Sequence, residues 1–165
     1  MNGNISIVIG SWGSYNECNE RALGSKWLDL SDYSDWDEIV EELKKTNVFY
    51  VATVDGDQPR VRPFSSVTEF EGSVYICTNN TKDCYAQLIA NPKVEMCGMN
   101  SDGTWVRVSG NAIRDDRDEA RKAMLDDPTG PSNLYTLGDG IFEVFRIDNA
   151  VCTKYSFTEE PVVIK

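Results

Sequence analysis

Histidine is absent from the 165-residue chain, which excludes a Ser-His-Asp triad, a Cys-His dyad and any histidine-bound zinc or iron centre. Chemistry must come from other side chains or from a bound cofactor. Positive charge is scarce too: 16 Lys and Arg face 27 Asp and Glu, a formal net charge of -11. General nucleic-acid binding and attachment to an anionic membrane surface both need a surplus of cations, so both are excluded as partners. An anionic ligand could be held only by a local cluster of positive groups. The five cysteines, Cys18, Cys77, Cys84, Cys97 and Cys152, are odd in number and include no C-x-x-C pair. This fits reduced thiols in the cytoplasm rather than a disulfide framework. Long apolar runs are missing. Ile5–Ile9 has no basic residue before it and stops at Gly10, so neither a signal peptide nor a membrane span is expected.

The length suits one domain with a single core. Residues 1–33 mix Gly, Ser and Asn with Trp12, Tyr15, Trp27 and Tyr33 without a sustained period, and read as an N-terminal arm on a domain spanning 34–165. A helix is expected next, with Ser34 as N-cap, Asp37 three residues on, and Trp36, Ile39, Val40 and Leu43 on one face.

From Val48 the pattern changes to short runs of Val, Phe, Tyr and Thr between turn residues, which predicts strands in series. Val48–Val54 ends at Asp55-Gly56, a hairpin signal. Arg60–Thr68 reads as the returning strand and, after Glu71-Gly72, Ser73–Thr78 as the next. A helix is expected over Thr81–Ala90, with Thr81 as N-cap and Asn91-Pro92 as the stop. Strands Lys93–Met99 and Trp105–Ile113 follow, then a polar helix from Asp116 to Leu125, a loop over Asp126–Leu137, and strands Ile141–Ile147 and Val151–Phe157. So many strands with so few helices exclude a doubly wound parallel sheet. The expected fold is mainly β: an antiparallel barrel of six to seven strands with peripheral helices.

Three cations, Arg60, Arg62 and Lys82, are expected to converge in this acidic chain. Thr78-Asn79-Asn80-Thr81-Lys82 runs from a strand end into a helix N-terminus, where free backbone N–H groups and the helix dipole favour a phosphate. The same stretch also fits a polar connection with a surface lysine. In Arg60-Val61-Arg62-Pro63-Phe64-Ser65-Ser66, a period of two sets Arg60, Arg62 and Phe64 on one face. A hairpin to Ser73–Thr78 would bring both arginines near Lys82, although surface salt bridges would also satisfy them. Pro63 removes a ladder donor, so the sheet should open or reach an edge there, where a flat ring could lie.

These features resemble the FMN-binding split barrels related to pyridoxamine 5′-phosphate oxidase, over roughly residues 34–157. The resemblance rests on Ala52-Thr53-Val54-Asp55-Gly56, Arg62-Pro63-Phe64, Thr78 through Lys82, Gln87-Leu88 before Asn91-Pro92, and Trp105-Val106-Arg107-Val108-Ser109-Gly110. It implies a homodimer with FMN at the subunit interface. Arg62 and Lys82 would meet the phosphate, and Thr78, Asn79 and Thr81 would supply hydrogen bonds. Pro63, Phe64 and Ser65 would line the isoalloxazine, and Gln87 would touch the cofactor or orient the loop. Trp105 stands where the family often has a glutamine reaching the flavin from the second subunit. The chain looks most like the nitroimidazole-reductase-like branch, although the histidine singled out there has no equivalent. The vitamin-B6 oxidase's C-terminal substrate-binding segment has no counterpart in Phe157–Lys165.

The activity implied is an FMN-dependent oxidoreductase passing electrons from NADH, NADPH or another donor to a small organic acceptor such as a nitro compound or quinone. A non-catalytic flavin carrier or sensor uses the same site. A barrel holding another phosphorylated ligand or a tetrapyrrole is the third reading. Cys84, in the first turn of the expected helix, is either a reactive thiol or a packed one. The acidic run Asp115, Asp116, Asp118 and Glu119 lacks calcium-loop spacing and reads as a helix N-terminus.

Overall fold

The computed structural model describes residues 6–9, 26–29 and 35–165. The chain divides into two compact units, Met1–Ser34 and Asp35–Lys165. In the first, β1 (Ser6–Ile9) pairs antiparallel with β2 (Lys26–Asp29). The rest of the expected arm, with Cys18 and the Ser34 cap, lies outside the described residues.

The second unit opens with α1 (Asp35–Lys45). Asp35, Asp37 and Glu38 occupy its first turn and Lys44 and Lys45 its last, each sign matched to the helix dipole. Ile39, Val40 and Leu43 bury the apolar face, each contributing about 1.5–3 kcal/mol by leaving water. The helix stops at Asn47, whose φ of 59° turns the chain into the sheet.

Eight strands then form one antiparallel sheet: β3 (Phe49–Asp55), β4 (Gln58–Phe64), β5 (Val67–Glu69), β6 (Val74–Asn79), β7 (Lys93–Met99), β8 (Trp105–Asp115), β9 (Phe142–Tyr155) and β10 (Val162–Val163). Their order is β4-β3-β7-β8-β9-β6-β5, with β10 paired to β9. The sheet does not close, because β4 and β5 remain edges, and the architecture is a split barrel. Two further helices, α2 (Asp83–Ala90) and α3 (Asp118–Asp126), complete it. No described helix is long and apolar enough to cross a membrane.

The main core lies on the inner face of the sheet under α1 and α2, around Phe49, Val51, Ile76, Met96, Val108 and Phe145. A smaller core packs α3 through Ala120 and Met124 against Tyr75, Cys77, Phe142 and Val144. β6 is therefore buried on both faces from Val74 to Thr78. This explains its unbroken apolar run, which alternation alone would not produce.

Two expected strand boundaries are corrected. The returning strand 60–68 is broken at Ser65-Ser66 into β4 and β5, which occupy opposite edges of the sheet. Pro63 is accommodated on edge strand β4, whose pairing runs past it to Phe64, opposite Phe49 at the start of β3; there the partner strand ends, and the chain leaves that edge and re-pairs with β6. Conversely, the expected strands 141–147 and 151–157 are one continuous β9, bent at Asn149 (φ 52°) opposite a register shift between Ser109 and Asn111.

Candidate functional site

The β3–β4 hairpin turns at Gly56, whose φ of 66° suits a two-residue connection. Its register sets Phe64 opposite Phe49, Arg62 opposite Val51 and Arg60 opposite Thr53. Paired residues share a face. The Val51 row continues through Met96, Val108 and Cys152, all fully buried. Arg62 thus ends a core row at the edge of the sheet, on the same side as Phe64 and Arg60, as period two requires.

Its guanidinium is held entirely by neutral oxygens. Nη1 donates to Thr53 Oγ1 at 2.6 Å and to Val51 O at 3.2 Å, and Nη2 donates to Gln87 Oε1 at 2.6 Å. Thr53 Oγ1 also donates to Gln87 Oε1, at 2.7 Å. Thr53 and Gln87 are 2% and 8% exposed, so this polar knot is inside the fold. All other described arginines, Arg60, Arg107, Arg114, Arg117, Arg121 and Arg146, pair with a carboxylate. Among the described residues, Arg62 alone of the arginines has no such partner.

Helix α2 packs on β3, β6 and β8, and so bridges strands from both halves of the split sheet. It carries Gln87 to Thr53 and sets its N-terminus beside the end of β6. Lys82 is the N-cap residue, without a side-chain capping bond, and it too has no carboxylate partner among the described residues. Thr81 is not the cap expected from sequence. Its hydroxyl and backbone N–H instead donate to Asn79 Oδ1 at 2.6 and 2.7 Å, because Asn79 closes a local turn before the helix begins. Thr78 is buried on β6 beside Cys84, with a hydrogen bond between their side chains.

Cys84 links the two cations. Burial pushes its thiol up, and the positive charges of Arg62 and Lys82 both oppose that shift. The thiol therefore stays protonated at neutral pH, against a reactive role. Burial likewise holds Cys77 up at about 12. No described cysteine is bonded to another, and no described cluster of acidic or thiol groups could hold a metal.

The structure brings together Arg62, Thr78, Lys82 and Gln87 around α2, with Asn79 and Thr81 in the turn before it. Pro63, Phe64 and Ser65 follow Arg62 along the edge, with Pro63 and Ser65 exposed and Phe64 against Phe49. The convergence expected of Arg60 is corrected: it pairs with Asp55 at 3.1 Å on the surface of its own hairpin. The route is corrected as well, since Arg62 meets the Lys82 region through α2 rather than by lying beside β6. Trp105 does not join the cluster within one chain. It stacks on Tyr155 at 5.3 Å and meets Phe157 at 5.0 Å, on the outer face of the sheet. Thr53 was missed in the sequence, although a hydroxyl at the inward position after Phe49 and Val51 was a signal that a polar partner lay inside.

A model for pyridoxamine 5′-phosphate oxidase matches residues 35–132. Among solved structures, the chain resembles a NimC/NimA family protein from Clostridium acetobutylicum with a TM-score of 0.74 and 44% identity, over 79% of this chain and 94% of that one. It shares its fold with a heme-binding protein from Mycobacterium smegmatis (TM-score 0.62, 19% identity, 79% of this chain and 58% of that one). It also shares it with a pyridoxamine 5′-phosphate oxidase-related, FMN-binding protein from Nostoc punctiforme (TM-score 0.55, 14% identity, 76% and 83%). No curated protein matches. With more than half of its length matched by the family model and a NimC/NimA relative at 44% identity, the chain belongs to the pyridoxamine 5′-phosphate oxidase-like split-barrel family.

Proposed function

We propose that this chain binds FMN and acts as an oxidoreductase, passing electrons from NADH, NADPH or another donor to a small organic acceptor such as a nitro compound or quinone. The observation that carries the reading is Arg62, an arginine on a core-side row with no carboxylate partner among the described residues, in a chain of net charge -11. A buried or half-buried cation left unneutralised suits an anion from outside the chain. Arg62, Lys82 and the free N–H groups opening α2 fit a phosphate. Among the described strands, edge strand β4 pairs only with β3, so backbone groups along Pro63–Ser65 are open to the polar rim of a flat ring.

Bound flavin would supply the electron-transfer chemistry. The chain's own part is to hold the phosphate, set the ring against β4 and limit access to it. The described cysteines, none bonded to another, suit a cytoplasmic protein.

A second copy of the chain completes the site in this reading. The outer face of β3, β7, β8 and β9 exposes Tyr50, Met99 and Val151, at 53%, 57% and 50%, beside the Trp105, Tyr155 and Phe157 cluster. That much exposed apolar surface on one sheet face favours burial against another protein surface. A homodimer covering it would carry Trp105 toward the partner's site.

The test is the visible spectrum and FMN affinity of the purified chain, repeated after Arg62→Ala and Lys82→Ala. Each substitution is expected to weaken FMN binding by about tenfold or more, the scale of a charge-assisted hydrogen bond. A colourless protein without affinity for FMN would refute the reading, and unchanged affinity in both variants would refute the phosphate placement. Flavin reduction by NADH or NADPH and reoxidation by a nitro compound or quinone is expected of the enzyme. A flavin that no donor reduces would instead identify a carrier.

A further inference from the structure

We infer that Gln87 is a positioning residue, which fixes the Arg62 guanidinium with a neutral acceptor so that its direction is set while its charge stays available to the phosphate. The inference rests on the FMN reading above and adds a role to it that is distinct from contact with the flavin.

The hydrogen bonds around Arg62, and the edge they leave open, carry it. Gln87 Oε1 receives both Arg62 Nη2 at 2.6 Å and Thr53 Oγ1 at 2.7 Å, and Thr53 Oγ1 receives Arg62 Nη1 at 2.6 Å. Because the two acceptors are themselves bonded, they sit side by side at the Nη1–Nη2 end of the guanidinium. Nη1 is further engaged by Val51 O at 3.2 Å and Arg60 O at 3.4 Å. What remains is Nε–H and the outer Nη2–H, which lie on one edge of the plane and have no acceptor among the described residues. That edge is the fork that receives an oxyanion through paired hydrogen bonds.

The chemistry of the amide explains why glutamine suits this place. A carboxylate here would accept the same bonds but cancel the charge, as happens at the other described arginines. A leucine would fill the space but leave Thr53 and Arg62 without their common acceptor. Two donors converging on one oxygen also set the amide's orientation, so Nε2 points away from Arg62, and it has no acceptor among the described residues. Gln87 is placed by the second turn of α2, whose first turn sits beside Lys82. One short helix thereby registers both cations to the same ligand.

The experiment compares FMN with riboflavin, which lacks the phosphate, on the full chain carrying Gln87→Leu, Gln87→Glu, Arg62→Ala, or Gln87→Leu with Arg62→Ala. Gln87→Leu is expected to weaken FMN binding by about tenfold while riboflavin affinity stays within about a factor of two. Gln87→Glu is expected to weaken FMN at least as much without lowering the melting temperature, since it keeps the bonds and neutralises the charge. In the Arg62→Ala background, Gln87→Leu should cost FMN nothing further. Equal losses for FMN and riboflavin, or a Gln87→Leu effect that persists in full without Arg62, would overturn the positioning role while leaving the flavin reading intact. Full FMN affinity in Gln87→Glu would overturn the requirement for a neutral acceptor. A wild-type chain that binds neither flavin would overturn both readings together.

Discussion

Arg62 stands directly opposite Val51 across β3 and β4, at the end of a row whose other members, Val51, Met96, Val108 and Cys152, are completely buried. A core row that ends in arginine has given up apolar contact at its last position. Among the described residues the guanidinium finds only neutral partners, Thr53, Gln87 and the Val51 and Arg60 carbonyls.

Replacing Arg62 with leucine should therefore separate stability from binding. Arg62→Leu extends the apolar row and leaves Thr53 bonded to Gln87, so the melting temperature of the flavin-free chain is expected to fall by no more than about 2 °C. FMN affinity should fall at least as far as in Arg62→Ala. A scan of the apo protein alongside an FMN titration checks both. A large loss of stability would mean that Arg62 serves the fold first.

The exposed sheet face gives a second prediction. Met99→Asp and Val151→Asp each set a charge on a strand surface where the native side chain is half exposed, so a monomer tolerates either change. If a second copy covers this face, light scattering should show two chains for the wild type and one for the variants. FMN affinity should drop with the loss of the partner.

Asp115 makes a pH prediction. The Arg117 guanidinium holds its carboxyl down to about 2, against an ordinary value of 3.8, and Tyr75 OH donates to it at 2.9 Å. A depressed folded value means that the unfolded chain takes up the proton first. The stabilisation is then complete above about pH 4 and is lost as pH falls toward 2. Asp115→Asn is expected to lower the melting temperature at pH 7 by about 2–6 °C. Between about pH 4 and 2 it should flatten the decline. Thermal melts across that range, compared with wild type, provide the check.

Gly110 tests the bend in β9. A Cβ there would lie 2.6 Å from Ile147 Cγ2 and 2.9 Å from the Asp148 carbonyl oxygen, and the latter is backbone that cannot swing aside. Gly110→Ala is expected to destabilise the chain by about 1–3 kcal/mol. Urea unfolding measures it, and a neutral result would show that the register shift between β8 and β9 can relax.

Local signals were enough for much of the fold. The Asp55-Gly56 turn, the Asn91-Pro92 stop and the α1 stripe of Ile39, Val40 and Leu43 all act within a few residues, and each lies where expected. Ser65-Ser66 was different: nothing in its composition separates a continuous strand from one that breaks and re-pairs. The expected strands 141–147 and 151–157 joined into one β9 with a bend at Asn149, because the long partner β8 could pair on both sides of it. Thr81 could have capped α2, but the nearer Asn79 side chain took its hydroxyl first.

By itself, the sequence determined that this is a strand-rich antiparallel protein without histidine chemistry, and it singled out Arg60, Arg62 and Lys82 as the candidate cations for an anionic ligand. Composition and period-two alternation act at short range and carry that information directly. Only the tertiary structure decided which cation stays free. Arg60 and Arg62 share a face two residues apart, yet Arg60 meets Asp55 across its own turn while Arg62 meets Thr53 and Gln87. The difference comes from α2, which is far along the chain and reaches β3 only by packing.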